Sequence, residues 1–555
     1  MDIVVVGGGA CGLKAACRAR RRNEGANITV VDASSYPSLG RCGLPYYVEG
    51  LVHTVDDLRK TLAGVVRDER YFKKVKNIEL LSNTRATEID RNRRVVKILK
   101  PDGSEDELNY DYLVLATGSK PVRLDVPNSD AEGVVTFSNP EDAERIVEMW
   151  ENNELERAVI IGGGLIGMEM AEALTNLDVK VTVIEIMDYI LPALLDLEMA
   201  KLVEIYLKEK NVDVMTKSTV TEILTSGGRV RGVKVNGIKE VPCDLVLMAV
   251  GVRPNVDLAV KCGLDVGKFG IRVDEHLRTS DERIFAGGDC VENRFLLTGD
   301  PIFTPMGSVA NKHGRVIGDN VTGGNSKFPG VLGTTIFKVF DMNVARTGLT
   351  ERRARELGYD VVTCLVSGPD RAHYYPNQKP IRVKLVAERG SGRILGAQIV
   401  GLGVVDKRID VVVSAMHMKA SVYDLSNFDL AYAPPYAQAV DTLIHSANTV
   451  INKMEGLIET ISSFELKEKL DRGEDLVVLD IRSEEELKKF KRIEDERVLH
   501  IPQSELRERY DEIPKDKEVV IVCQIGARSY EAYRFLKSKG FKCKVLEGGL
   551  AFWFW

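Results

Sequence analysis

Two cysteines stand where their neighbours could put them to chemical use. Cys42 lies in Gly40-Arg41-Cys42-Gly43-Leu44-Pro45-Tyr46-Tyr47. The residue five places on is Tyr47, so no second thiol is at hand to close a local disulfide. Cys523 opens Cys523-Gln524-Ile525-Gly526-Ala527-Arg528, between the apolar run Val519–Val522 and a helical pattern. A six-residue loop at such a place curls its N–H groups around the sulfur. The helix that follows adds its positive end, making an anion cradle suited to a thiolate or a persulfide anion. The remaining cysteines, Cys11, Cys17, Cys243, Cys262, Cys290, Cys364 and Cys543, read as packing residues. Nine cysteines in all, an odd number spread over the chain, do not make a disulfide framework and suit a reducing compartment. No cysteine or histidine shows metal-ligand spacing, so no metal is expected.

Two further constellations bind rather than react. Val4-Val5-Val6-Gly7-Gly8-Gly9-Ala10-Cys11-Gly12 returns as Val159-Ile160-Ile161-Gly162-Gly163-Gly164-Leu165-Ile166-Gly167. Each copy is an apolar strand, a GxGxxG turn and a helical pattern. Each is followed, about 20 residues on, by a second apolar strand closing on an acid, Asp32 or Glu185. The glycines let the backbone approach a pyrophosphate, the helix start receives it, and the acid accepts from ribose hydroxyls. Two such units predict two bound dinucleotides. Glu185 is followed by Ile186, Met187 and Asp188, with no cation to hold a 2′-phosphate, so the second site is expected to prefer NADH over NADPH.

The elements around these motifs alternate strand and helix. Tyr112–Leu115 runs into Ala116-Thr117-Gly118, Val246–Val250 into Gly251, and Ile284-Phe285-Ala286 into Gly287-Gly288-Asp289. The fold class is α/β. At 555 residues, 44% apolar and 28% charged, the composition excludes wholesale disorder. A net charge of -6 is not that of a general nucleic-acid binder. No apolar run reaches the length of a membrane span. Met1-Asp2-Ile3 enters a strand at once without a basic leader, so a cytoplasmic location is expected.

The glycine fingerprints with Asp32, the Ala116-Thr117-Gly118 strand end and Ala286-Gly287-Gly288-Asp289 resemble the FAD-dependent pyridine nucleotide–disulfide oxidoreductases over residues 1 to about 445. The lone Cys42 resembles the branch with a single cysteine: coenzyme A-disulfide reductases, persulfide reductases, and NADH oxidases and peroxidases. The resemblance implies that the first fingerprint holds FAD and the second the nicotinamide nucleotide. It implies nucleotide contacts at Gly7, Gly9, Ala10, Gly12, Asp32, Ala33, Arg41, Ala86, Ala116, Thr117, Gly118, Gly162, Gly164, Ile166, Gly167, Glu185, Gly251, Gly288, Asp289 and Ala310. It also implies that Cys42 lies against the flavin as a nucleophile, and that Tyr374 and Tyr432 reach it from the partner subunit of a homodimer. Alternatively, these tyrosines only pack. The peroxidases' histidine in the first glycine loop is Ala10 here, and the family's asparagine before the cysteine is Arg41. Arg41 is open to a role on FAD phosphate or on substrate.

Arg18, Arg20, Arg21, Arg22, Lys73, Lys74 and Lys76 follow the first fingerprint. Of these, Arg18, Arg22 and Lys73 are the candidates for the phosphates of coenzyme A. The other reading is that they are solvated helix charges. The last ninety or so residues resemble a rhodanese domain through Val478-Leu479-Asp480-Ile481-Arg482, the Cys523 loop and Glu547-Gly548-Gly549-Leu550-Ala551-Phe552-Trp553. The resemblance implies a transferable sulfur on Cys523, with Arg528 at the substrate. The usual Gly-His-Ile-Pro-Gly stretch is eroded to Leu499-His500-Ile501-Pro502-Gln503, and the aromatic end near Trp555 is expected to dock on the main body.

The expected organisation is an FAD-binding domain (1–119 and 248–325), an NAD-binding domain (120–247), an α+β interface or dimerisation domain (326–445), a linker (446–463) and a rhodanese α/β domain (464–555). The two nucleotide-binding domains are Rossmann-like. The expected function is NADH-dependent reduction of coenzyme A persulfide, polysulfide or disulfide, with Cys42 as nucleophile and Cys523 as sulfane-sulfur carrier. The alternatives are an NADH oxidase cycling Cys42 through sulfenic acid, and a sulfur-carrier or redox-sensing binding protein. The expected partners are small thiols and persulfides, not nucleic acid or membrane.

Overall fold

Short strands that are apolar on both faces, each followed by a helix, must be parallel and covered on both sides. A computed structural model describing residues 1–555 shows this arrangement three times. The chain divides into two units: Met1–Ile190 with Asn211–Gly333, and Leu191–Lys210 with Thr334–Trp555.

The first unit holds two parallel five-stranded sheets. One runs Ile284–Ala286, Tyr112–Leu115, Asp2–Val6, Asn27–Val31, Glu79–Leu81. The other runs Asp213–Met215, Lys180–Ile184, Arg157–Ile161, Leu245–Met248, Val134–Val135. In each, the strand before the glycine turn lies centrally, where the strand order reverses. Val6 is in register with Val31 and Leu115, and Ile161 with Ile184 and Met248. Glycine turn and acid therefore emerge side by side at the carboxyl ends of the strands, where sheets of this kind bind ligands. The same hydrogen bonds are made twice: Gly7 and Gly162 donate to Val31 and Ile184 carbonyls, each at 2.8 Å. The strands Ser119–Pro121 and Val252–Pro254 pair antiparallel.

The second unit holds an antiparallel sheet in the order Thr335–Val339, Met342–Gly348, Ile394–Gly401, Pro380–Glu388, Val361–Pro369. It also holds a parallel sheet in the order Thr460–Ile461, Cys543–Leu546, Glu518–Val522, Leu476–Asp480, Val498–His500. The segment read as a linker, 446–463, begins inside the helix Thr442–Met454, whose Ser446, Ala447 and Val450 are buried. The terminal aromatics pack on their own domain: Trp555 and Phe554 meet the Phe464 ring at 5.3 and 5.7 Å. Val498–His500, part of the eroded stretch, is a sheet strand. No helix is long and apolar enough to cross a membrane.

Residues 191–210, which lie within the segment read as the NAD-binding domain, belong to the second unit. A buried charge cluster holds them. The Lys384 ammonium, 2% exposed, meets Asp196 at 3.1 Å, Glu351 at 2.7 Å, and Glu198. Gln398 Nε2 donates to Asp196 Oδ2 at 2.6 Å. Burial acts to raise the Glu351 carboxyl, but Lys384 and Arg355 outweigh it and pull it down to about 2. This contribution to stability is complete above the ordinary carboxyl range, about 4.3, and is lost as pH falls towards the folded value. Removing the cation leaves three carboxylates facing one another away from water. Lys384→Met is expected to cost about 3–5 kcal/mol, read as a lower urea midpoint with an unchanged slope.

Candidate functional site

The first nucleotide site is built by what its glycines lack. Gly7 has φ +114°, and a Cβ there would fall 2.1 Å from the Ala116 carbonyl oxygen. A Cβ on Gly12 would fall 1.9 Å from the Gly7 oxygen. Gly9 faces open space, with nothing within 4 Å of such an atom. It caps the helix Ala10–Arg22 without any side-chain acceptor, leaving the first N–H groups for a phosphate. Burial raises the Asp32 carboxyl, offset in part by the Ser34 amide and the Arg41 guanidinium. Burial also raises Asp289, offset by the Ser119 hydroxyl, 3.1 Å away, and again by Arg41. Arg41 is thus within electrostatic reach of both acids. Thr117 Oγ1 donates to the Asn255 carbonyl at 2.6 Å, pinning the Ala116-Thr117-Gly118 strand end. Ala310 is buried, Ala33 is exposed, and Ala86 is half-buried in the antiparallel strand Arg85–Asp90. An open cradle, a bare helix start and two acids with a cation between them fit an FAD.

Sequence reading did not single out Ser119, Asn255 or His313. The Gly288 N–H donates to His313 Nδ1 at 3.1 Å. Burial drives that imidazole down to about 4, so it stays a neutral acceptor beside the Asp289 turn. The signal available was position only, a histidine on the helix Gly307–Asn320 that follows Asp289.

The second site repeats the first. A Cβ on Gly162 or Gly167 would fall 2.5 Å from Ala249 oxygen or 2.2 Å from Gly162 oxygen, while Gly164 is open. Glu185, 6% exposed, accepts from the Gly163 amide at 2.7 Å and the Met187 amide at 2.9 Å. Ile186 and Met187 beyond it are exposed apolar residues. Ile166 lies in the first turn of the helix Leu165–Asn176, and Gly251 on the return loop has φ +104°. The set fits a nicotinamide dinucleotide with an unphosphorylated ribose.

Cys42 sits in the single turn Arg41–Gly43 that leads into Leu44–Val48. Gly40 donates to Leu58 oxygen at 3.0 Å, Gly43 donates to Gly40 oxygen at 2.8 Å, and Leu44, Pro45 and Val48 are buried beneath. The anchoring holds the thiol on an exposed rim. The protein around it, then the carboxylates of Glu169 and Asp289, raise the thiol. Glu169 comes from the helix of the second fingerprint, so one face of the first unit gathers Cys42, the Asp289 turn and that helix.

A cavity of about 380 Å³ opens along the segment that leads to Cys42, lined by Gly9, Ala10, Ser38, Leu39 and Gly40. Its cations are Lys14, Arg21, Arg67 and Lys76, and Tyr71 and Cys17 also line it. Cys17 therefore lines the cavity while also packing against the core of the first sheet. Arg18, Arg22 and Lys73 do not line it. Arg18 bonds Asp319 at 2.6 Å, Arg22 bonds Thr322 at 3.3 Å, and Lys73 pairs with Glu79. Helical periodicity separates Lys14 and Arg21 from Arg18 and Arg22, and Arg67 lay outside the basic runs.

In the second unit, Tyr374 and Tyr432 come together from separate loops. The Tyr432 hydroxyl bonds Tyr374 and raises its phenol. Both are exposed, and Ala372 N donates to Pro434 oxygen at 3.2 Å to join the loops.

Cys523 is fully buried at the base of its loop, and the Gly526 N–H points to its sulfur at 3.1 Å. The loop is closed from behind by the turn after Glu547. Leu550 N donates to Cys523 oxygen at 2.9 Å, and Ala551 N to Gln524 oxygen at 3.0 Å. Gly549 has φ +67°, and a Cβ on it would fall 2.6–2.7 Å from the Cys523 oxygen and the Gly526 and Ile525 amide nitrogens. The buried Arg482 ties Asp480 (2.8 Å) to Gln524 (3.2 Å). Arg528 is bound through both terminal nitrogens to Glu486, at 2.7 and 2.5 Å.

Two dinucleotide folds served by one exposed thiol define a nicotinamide-dependent oxidoreductase of the disulfide-reducing kind. Residues 1–306 match the model of pyridine nucleotide-disulphide oxidoreductases, 334–444 that family's dimerisation domain, and 463–554 a rhodanese-like domain. The chain belongs to the pyridine nucleotide-disulphide oxidoreductases. It is similar over its full length, and that of its neighbour, to the solved structure of a NAD-dependent persulfide reductase from A. fulgidus, with 56% identity and a TM-score of 0.96. It is 36% identical over 443 residues to a NAD(P)H coenzyme A polysulfide/persulfide reductase of Pyrococcus horikoshii, covering 80% of this chain and 96% of the relative. It is 34% identical over 454 residues to a NADH oxidase of Methanocaldococcus jannaschii, covering 82% and 99%.

The Glu169 carboxylate disfavours the Cys42 thiolate. Glu169→Gln is therefore expected to lower the thiol pKa and speed alkylation of Cys42 by iodoacetamide several-fold at neutral pH. Peptide mass spectrometry of quenched time points would measure it.

Proposed function

We propose that this enzyme reduces the sulfane sulfur of coenzyme A persulfide, or of polysulfide presented on coenzyme A, at the expense of NADH. Coenzyme A disulfide is an alternative substrate in this reading. The observation that carries it is the lone exposed thiol of Cys42 beside a cavity lined by four cations. A single thiol must act on an external sulfur, and four cations suit a polyphosphate carrier of that sulfur.

FAD and NADH, when bound, supply the electron pair the reaction consumes. Gly9, the helix start at Ala10, Asp32, Arg41 and Asp289 hold the first. Gly164 and Glu185 hold the second. Cys42 forms a bond to the outer sulfur of R–S–SH, and R–S⁻ leaves and takes a proton. The persulfide left on Cys42 awaits two electrons and a proton to return the thiolate and release H₂S. The balance is RSSH + 2 e⁻ + 2 H⁺ → RSH + H₂S. Lys14, Arg21, Arg67 and Lys76 orient the carrier's phosphates. Cys523 takes sulfane sulfur into its N–H cradle and delivers it to the carrier thiol. Tyr374 and Tyr432 act as a hydrogen-bonded pair on the departing sulfur, from the partner of a homodimer. We assign FAD binding to 1–119 and 248–325, NAD binding to 120–247 without residues 191–210, and the sulfur carrier to 464–555. We assign the enzyme to the cytoplasm, a reading supported by its use of NADH and coenzyme A.

Anaerobic NADH consumption and sulfide release with coenzyme A persulfide test the reading. Cys42→Ser is expected to lower both at least about 100-fold. No sulfide release, with NADH consumed only when oxygen is admitted, would favour the oxidase reading, and sulfide release untouched by that change would remove Cys42 from the reaction. Arg67→Glu tests the cavity. KM for coenzyme A persulfide should rise about tenfold with kcat nearly constant, the mark of lost uniform binding.

A further inference from the structure

The turn that closes the Cys523 cradle is fastened outside its own domain. Glu547 ends the strand Cys543–Leu546 and leads directly into Gly548-Gly549-Leu550. Its carboxylate reaches across to Val361–Pro369, which lies at the edge of the antiparallel sheet. An edge strand presents alternate N–H and C=O groups that no neighbouring strand takes up. Glu547 Oε1 accepts from the Leu365 N–H at 3.1 Å. The neighbouring outward group, the Thr363 carbonyl, accepts from Lys453 Nζ at 2.7 Å. Lys453 and Glu547 in turn pair with each other at 2.5 Å, each side chain only 13% exposed. One acid and one base thus take up one N–H and one C=O of a sheet edge and clamp the two domains together. Lys453 lies in the last turn of the helix Thr442–Met454, where its charge also complements the helix end.

The consequence reaches the sulfur. Gly549 leaves no room between its own backbone and the Cys523 oxygen and Gly526 and Ile525 amides, and Leu550 holds the Cys523 carbonyl. A displacement of the turn at Glu547 must therefore move the Ile525 and Gly526 amides, and the Gly526 N–H is the one that points at the Cys523 sulfur. The cradle's rear wall is fixed by the dimerisation sheet and not by the rhodanese-like fold alone.

We infer that Glu547 is a positioning residue for the sulfur carrier. Clamped by Lys453 and the Leu365 amide, it holds the Gly548–Gly549 turn that keeps the loop N–H groups on the Cys523 sulfur. The inference rests on the reading of Cys523 as the sulfane-sulfur carrier, and the test separates the two. It uses the full-length flavoprotein and two readouts. One is transfer from thiosulfate to cyanide, in which Cys523 takes the outer sulfur and releases sulfite, then yields that sulfur as thiocyanate. The other is the pH profile of Cys523 alkylation by iodoacetamide, which needs no turnover.

Glu547→Ala should lower kcat for thiocyanate formation about tenfold with KM for thiosulfate within about twofold. It should also move the alkylation profile to higher pH, because fewer N–H groups face the sulfur. Glu547→Gln, whose amide oxygen can still accept from both Leu365 and Lys453, should recover most of both. NADH-dependent flavin reduction should be unchanged in either. If Glu547→Ala does not fold, Lys453→Met, which leaves Glu547 on Leu365, must shift both readouts in the same direction. Wild-type rates and an unmoved alkylation profile in the folded variants would overturn the inference. Thiocyanate formation that persists in Cys523→Ser would overturn the carrier reading instead, and the alkylation profile would still decide the role of Glu547.

Discussion

The structure depends first on a steric constraint. Twice the chain must leave a central strand and enter a helix through a turn whose first and last glycines have no room for a Cβ, since backbone oxygens lie 1.9–2.5 Å from where it would stand. That closeness lets the helix start aim bare N–H groups at a phosphate and brings the next strand's acid alongside. The neighbouring strands are in register with the central one, so everything else in the first unit is hung from these two turns. The Asp289 turn is bonded to His313 and Ser119, Thr117 to Asn255, and the anchored Cys42 turn lies within electrostatic reach of Asp289.

The two thiols are placed in opposite surroundings. Cys42 is held on an exposed rim beside carboxylates that oppose its ionisation, so its chemistry depends on what binds next to it. Cys523 is buried, with an amide N–H on its sulfur and an arginine bound to an acid at the loop. The first arrangement suits a nucleophile that acts only when cofactor and substrate are in place. The second suits a carrier that holds an anion away from water. Their coexistence on one chain is what makes a sulfane-sulfur substrate the natural reading.

In the second unit, buried ion pairs do the joining. Lys384 gathers three carboxylates from two separate segments, Asp196 with Glu198 and Glu351, and fastens residues 191–210 to the antiparallel sheet. Lys453 and Glu547 fasten the rhodanese-like domain to the free edge of that sheet. Such pairs add little net stability over apolar packing, but each is costly to break singly, which makes them good at specifying one arrangement.

The glycine fingerprints, Asp32, Glu185, Asp289, Cys42 and the Cys523 loop were legible in the sequence because each is a local pattern whose geometry is set by adjacent residues. The α/β class followed from the same alternation of strand and helix. The cations of the cavity were not fully legible: the basic runs held Arg21 and Lys76, but the candidates Arg18, Arg22 and Lys73 bond Asp319, Thr322 and Glu79, while Lys14 and Arg67 outside those runs line the space. Nor was the membership of 191–210, the acceptor role of His313, the meeting of Tyr374 with Tyr432, or the clamp on Glu547. A charge or a ring nitrogen does not carry the identity of its partner. The sequence by itself determined the two glycine turns and the two cysteine loops, because each is set by adjacent residues. Only the tertiary structure decided which charges face a ligand and which face each other, because those partners are brought together by packing across tens to hundreds of residues.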